Sequence, residues 1–144
     1  MSQLRSVSKW KTRHAIVVGI GIVLNFIIVV PLLLWPEWTL SFFHIPTTTQ
    51  LIWPRFSALL LGIISIFYIP AALDIDRYRI FAWLAVLPSR TFGAVFFFLA
   101  VFLFEQPTGF LVGVLLDGSI GAASLFCLIR ISRLEQEIAD GRHR

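Results

Sequence analysis

The chain has 144 residues, 58% of them hydrophobic and only 14% charged, with a formal net charge of +4. Soluble domains carry about 25% charged residues, so a soluble layered fold, which needs far more polar surface, is excluded. One small membrane domain is expected, with fourteen Phe and five Trp suited to a lipid-facing surface.

The first apolar run covers residues 15–35, at 1.5 Å per residue about 31 Å, which matches a hydrocarbon core of about 30 Å. It follows a basic segment, as a signal peptide does, but ends in bulky Leu34 and Trp35 with no small-residue cleavage site. The reading is therefore a retained helix. Residues 36–50 follow, and their Trp38, Leu40, Phe42, Phe43 and Ile45 predict a short helix at the outer interface, where aromatics collect.

The second span covers residues 51–73 and ends in a polar turn, 74–79. The third covers 80–104 and is long enough to tilt. Pro88 lies inside it and either kinks it or begins it; a continuous, kinked helix is the favoured reading. Glu105, Gln106 and Pro107 separate it from the fourth span, 110–129. The tail, 130–144, continues as a helix, with Ile131, Leu134 and Ile138 at helical spacing and Gly141 as its stop.

All twelve Lys and Arg except Arg55 and Arg90 lie in the N-terminal segment, the second loop or the tail. Lys and Arg mark the cytoplasmic side of a membrane. Both termini are therefore expected there, as an even number of spans requires. The predicted fold is all-α: a four-transmembrane-helix up-down bundle of the bacterial inner membrane. Because the basic residues flank apolar runs, the expected partner is the lipid bilayer, with a membrane protein or a second copy beside it, and not nucleic acid.

The polar residues inside the spans carry the functional argument, because ionisable groups at bilayer depth are costly and usually face a partner or a cavity. Asn25, Arg90 and Asp117 each fall within about 5 Å of their span centres at 1.5 Å per residue. Arg55 lies about 10 Å outward on the second span by the same rise. Gly109, Gly113, Asp117 and Gly121 recur every four residues, the spacing of close helix packing. Gly21 and Asn25 share a face, as do Ala58, Gly62 and Ser65, and Arg90, Gly93 and Ala94. Each helix is expected to turn this side to a common seam. Besides snorkelling of the charges toward the membrane interface, two readings of Asn25, Arg55, Arg90 and Asp117 stay open. One is an Arg90–Asp117 ion pair, with Asn25 bonded nearby, that fixes helix register. The other is a small-molecule or ion site built around the pair.

No catalytic set accompanies them. His14, His44 and His143 fall outside the spans, so haem ligation within the bundle is not expected, and no metal spacing occurs. Cofactors are expected to be none. Ser57, Ser65 and Ser89 have no nearby histidine to activate them. The single cysteine, Cys127, forms neither an internal disulfide nor a Cys-x-x-Cys redox pair.

An apolar span, a Pro, an aromatic-rich outer segment, Pro54-Arg55 leading to Gly62, an Ala-rich end and the Asp76-Arg77-Tyr78-Arg79 turn follow one another over residues 30–95. This order resembles the small bacterial DoxX-like four-helix membrane proteins. The resemblance implies a four-helix bundle and, for some members, a place beside membrane oxidoreductases. The expected function is a non-catalytic accessory, anchor or assembly subunit of a membrane complex. The alternative is a small-molecule, lipid or quinone binder, or a small dimeric transporter, using the polar cluster.

Overall fold

A computed structural model describes residues 2–142. His143 and Arg144, the end of the predicted tail, lie outside the described residues. The described chain is all helical, and four of its helical units are long and apolar enough to cross a membrane.

Helix α1 runs Ser2–Leu34, through the basic segment as well as the apolar run. No Gly or Pro lies in residues 2–14, and Lys and Arg are good helix formers. A short helix, α2, Pro36–Phe42, turns away from it, with Pro36 at a favoured first position. It is the helix predicted in the first loop.

The second unit is α3, Ile52–Phe67, followed after Tyr68 by α4, Ile69–Leu73. Pro70 explains the break, because it has no N–H to donate to the preceding turn. The third unit runs α5, Arg79–Leu84, a π-helical turn, Ala85–Arg90, and α6, Thr91–Phe102. It is continuous through Pro88. A π turn widens the backbone where the proline ring would clash with a carbonyl one turn back. Thr91 closes it: its N–H and its hydroxyl both donate to the Val86 carbonyl, the hydroxyl at 2.9 Å. A 3-10 turn, Thr108–Phe110, leads into α7, Leu111–Arg142. Gly141 does not stop this helix, which reaches the last described residue.

Helices α1 and α7, of 33 and 32 residues, are about 50 Å and 48 Å long at 1.5 Å per residue. They pack antiparallel and extend together at the end that carries both termini. The buried positions of α1, Val7, His14, Val18, Gly21, Asn25 and Val29, recur every three, four or seven residues and form one stripe along the helix.

Helix α3 packs along α1, and α6 packs along α7, while α3 does not pack along α6. The second and third units meet near their connecting turn, through α4 and α5. The side-by-side order is therefore second, first, fourth, third. This corrects the expectation of one common seam: the small and polar residues divide between an α1–α3 seam and an α1–α6–α7 seam.

Most large apolar side chains point outward. Only 22–28% of the most apolar stretch of each unit is buried. Ile27, Phe92, Phe96 and Leu115 are each more than 60% exposed. Burial within the chain accounts for little of this apolar surface, which forms an outer girdle on the four units.

Candidate functional site

The α1–α6–α7 seam holds Arg90 and Asp117. Arg90 closes the π turn and Asp117 stands on α7; Arg90 Nη1 donates to Asp117 Oδ1 at 2.9 Å. The Arg90 side chain is 5% exposed and that of Asp117 21%. Pairing at this burial matters because either charge alone, taken out of water, costs several kcal/mol.

Three glycines close around the pair. A Cβ on Gly21 of α1 would lie 2.5 Å from Arg90 Nη2, and one on Gly93 of α6 would lie 2.5 Å from Asp117 Oδ2. A Cβ on Gly121 would lie 3.3 Å from Arg90 Cβ. The absence of side chains at these positions is what lets the backbones approach and the pair fit between them. Arg90 also lies over the Tyr68 ring, with Cζ 5.4 Å from its centroid, an attraction between guanidinium and ring quadrupole. The Tyr68 hydroxyl shares a hydrogen bond with Ser89 Oγ, tying the second unit to the π turn. Arg90 Nη2 is buried and has no hydrogen-bond partner among the described residues.

Asn25 does not join this group. Its Nδ2 donates to Ser65 Oγ at 2.8 Å, and Ser65 Oγ donates in turn to the Leu61 carbonyl at 2.7 Å. Both side chains are buried, in the α1–α3 seam. Gly62 belongs to the same seam, where a Cβ would meet Val29 Cγ1 at 3.4 Å.

Arg55 is also separate, at the end of the molecule away from the termini. Its Nε donates to the Leu33 carbonyl at 3.1 Å, satisfying a backbone acceptor in the last turn of α1. The four polar residues expected to cluster therefore occupy three places: the Arg90–Asp117 pair, the Asn25–Ser65 bond and the Arg55 cap.

The glycine stripe of α7 divides too. Gly113 lies against the Phe97 ring and Gly121 against Arg90, both in helix contacts. Gly109 falls in the 3-10 turn, where a Cβ would overlap the Phe43 carbonyl of the first loop. It lets two loops touch rather than two helices.

Sequence reasoning missed three features. The Tyr68 ring beneath Arg90 could have been found by continuing the Ala58, Gly62, Ser65 spacing by one more step. His14 is fully buried with both ring nitrogens unpartnered among the described residues; it lies seven residues before Gly21, on the same α1 stripe. The third is an ion-pair network at the termini end. Lys11 pairs with Asp76 at 2.6 Å and Glu135 at 3.0 Å, and Arg79 pairs with Glu135 at 2.6 Å and Asp76 at 3.5 Å. It links α1, the turn before α5 and the extension of α7 beyond the apolar run. The hydrogen bond from Arg79 holds the Glu135 carboxyl below its ordinary range, against the opposing effect of partial burial. Reading these charges only for their sign hides the pairing.

No group of three or more potential metal ligands occurs among the described residues. No family model, no curated protein and no solved structure matches this chain.

Proposed function

We propose that the chain is a four-span integral protein of a bacterial inner membrane, with both termini cytoplasmic, acting as a non-catalytic accessory, anchor or assembly subunit of a membrane complex. The outward apolar girdle supports insertion. The basic residues at the termini end and the second turn support the orientation. The order of features over residues 30–95 supports a DoxX-like bundle.

The observation that carries the accessory role is the packing of Arg90 and Asp117. The two charges are bonded to each other and enclosed by Gly21, Gly93 and Gly121. That arrangement fixes helix register and leaves the outer girdle as the surface for a partner. The test is a tagged pull-down in mild detergent. A stoichiometric membrane-protein partner is expected. Recovery of the chain alone, or of copies of itself only, overturns the accessory role. Reporter fusions at both ends test orientation, and a periplasmic signal from the C-terminus overturns it.

A second reading has its own observation. Arg90 Nη2 lacks a partner among the described residues and Asp117 keeps 21% exposure, which supports a small polar or quinone-like ligand bonding there. Ligand retained in native mass spectra and lost on Asp117→Asn supports that reading.

A further inference from the structure

Two recesses adjoin at the end of the molecule away from the termini. One, of about 250 Å³, is walled by Leu34, Trp35, Glu37, Trp38, Leu51 and Arg55. The other, of about 490 Å³ and open, is walled by Pro31, Trp35 and Trp38. They share the two tryptophans as walls. The first is smaller than the roughly 300–1,000 Å³ of a pocket for a whole drug-sized molecule. Its size suits one polar head, and the second, walled only by apolar side chains, suits a chain continuing from it.

The first recess carries one charge of each sign. Arg55 is anchored through Nε to the Leu33 carbonyl, and Glu37 lies in the first turn of α2. Both line the same small recess, yet no ion pair joins them among the described residues. The Arg55 anchor uses Nε and leaves the terminal guanidinium nitrogens to donate elsewhere. An arginine fork matches a phosphate, and a carboxylate accepts from an ammonium. Exposed Trp35, Trp38 and Trp53 ring this end, as tryptophans do at the level of lipid head groups.

We infer that this recess binds the head group of a zwitterionic aminophospholipid: Arg55 takes the phosphate, Glu37 takes the primary ammonium, and an acyl chain lies over Pro31, Trp35 and Trp38. The inference rests on the membrane insertion proposed above and is independent of the accessory role. An anionic phosphoglycerol head leaves Glu37 facing no cation. A choline head has no N–H to give it.

The experiment is native mass spectrometry of the full chain, released from vesicles and titrated with phosphatidylethanolamine, phosphatidylglycerol or phosphatidylcholine of identical chains. Retention of the ethanolamine lipid about tenfold above the other two is expected, the effect of one charge-assisted hydrogen bond. Glu37→Gln should lower ethanolamine retention to the choline level and raise glycerol retention. Arg55→Gln should lower retention of all three to that of diacylglycerol. Because Arg55 also caps α1, thermal unfolding of that variant is measured beside it, and Glu37→Gln carries the test if Arg55→Gln unfolds. Equal retention of the three lipids, preference for the glycerol lipid, or charge variants that behave as the parent overturns the site alone. Failure of the parent chain to float with vesicles overturns both the membrane reading and the site.

Discussion

Arg90 and Asp117 meet at 2.9 Å between the third and fourth helical units, and each is backed by a glycine from a different helix: Gly21 behind Arg90 and Gly93 behind Asp117. The pair is a wedge for which two backbones make room. Removing one charge should therefore cost more than removing both. Asp117→Asn leaves Arg90 buried and uncompensated, a loss of about 3–5 kcal/mol in soluble proteins, and smaller in a bilayer where arginine can snorkel. Adding Arg90→Leu should recover part of it. Thermal aggregation in detergent, measured for singles and double, checks this; strictly additive losses would show that the pair is not coupled.

Glycine substitutions separate packing from propensity. Gly93→Ala places a methyl 2.5 Å from Asp117 Oδ2, and the carboxylate cannot swing away without disturbing the bond that its Oδ1 accepts from Arg90. A loss of about 1–3 kcal/mol is expected, the range for overpacking. Gly118, one position along α7 from Asp117, has open space around its Cβ position. Gly118→Ala should leave stability unchanged or raise it by up to about 1 kcal/mol through helix propensity. Equal effects of the two substitutions would contradict the packing.

The Asn25–Ser65 bond should respond asymmetrically. Ser65→Ala removes the acceptor of the buried Asn25 amide, whereas Asn25→Ala leaves Ser65 still bonded to the Leu61 carbonyl. Polar pairs between membrane helices are worth about 0.6 kcal/mol on average and up to about 1.7. Unfolding in SDS titrations should show the Ser65→Ala loss near the upper value. Rescue by the apolar pair Asn25→Leu with Ser65→Ala is also expected, since no buried polar group then lacks a partner.

The ion-pair network at the termini end should make stability fall in acid. Glu135 has a folded-state pKa below its ordinary 4.5, chiefly through its hydrogen bond from Arg79. Its contribution is therefore complete above about pH 4.5 and is lost as pH falls through the folded value. Melting temperature followed from pH 7 downward should drop over that window. Glu135→Gln should melt lower at pH 7 and show a shallower acid slope. An unchanged slope would assign the acid loss to other carboxylates.

The number of long apolar helices was legible in the sequence alone, because it depends on hydropathy and on a constant rise of 1.5 Å per residue, whereas the start of α1 at Ser2, well before the apolar run, was not. The same counting put Asn25, Arg90 and Asp117 at one level. Level is a single coordinate, however, and it does not say which helices are neighbours. Packing decided that α1 stands between α3 and α7, which gave Asn25 to Ser65 and left Arg90 to Asp117. Pro88 was visible as a disturbance. Its outcome, a π turn that carries Arg90 toward α7, depended on Thr91 closing the Val86 carbonyl. Lys11, the Asp76–Arg79 turn and Glu135 lie far apart in the chain, and the antiparallel overhang of α1 and α7 brings them together. Local sequence thus determined what is helical and apolar; rotation and neighbour order were set by the tertiary structure, because they follow from how small residues on several helices fit at once.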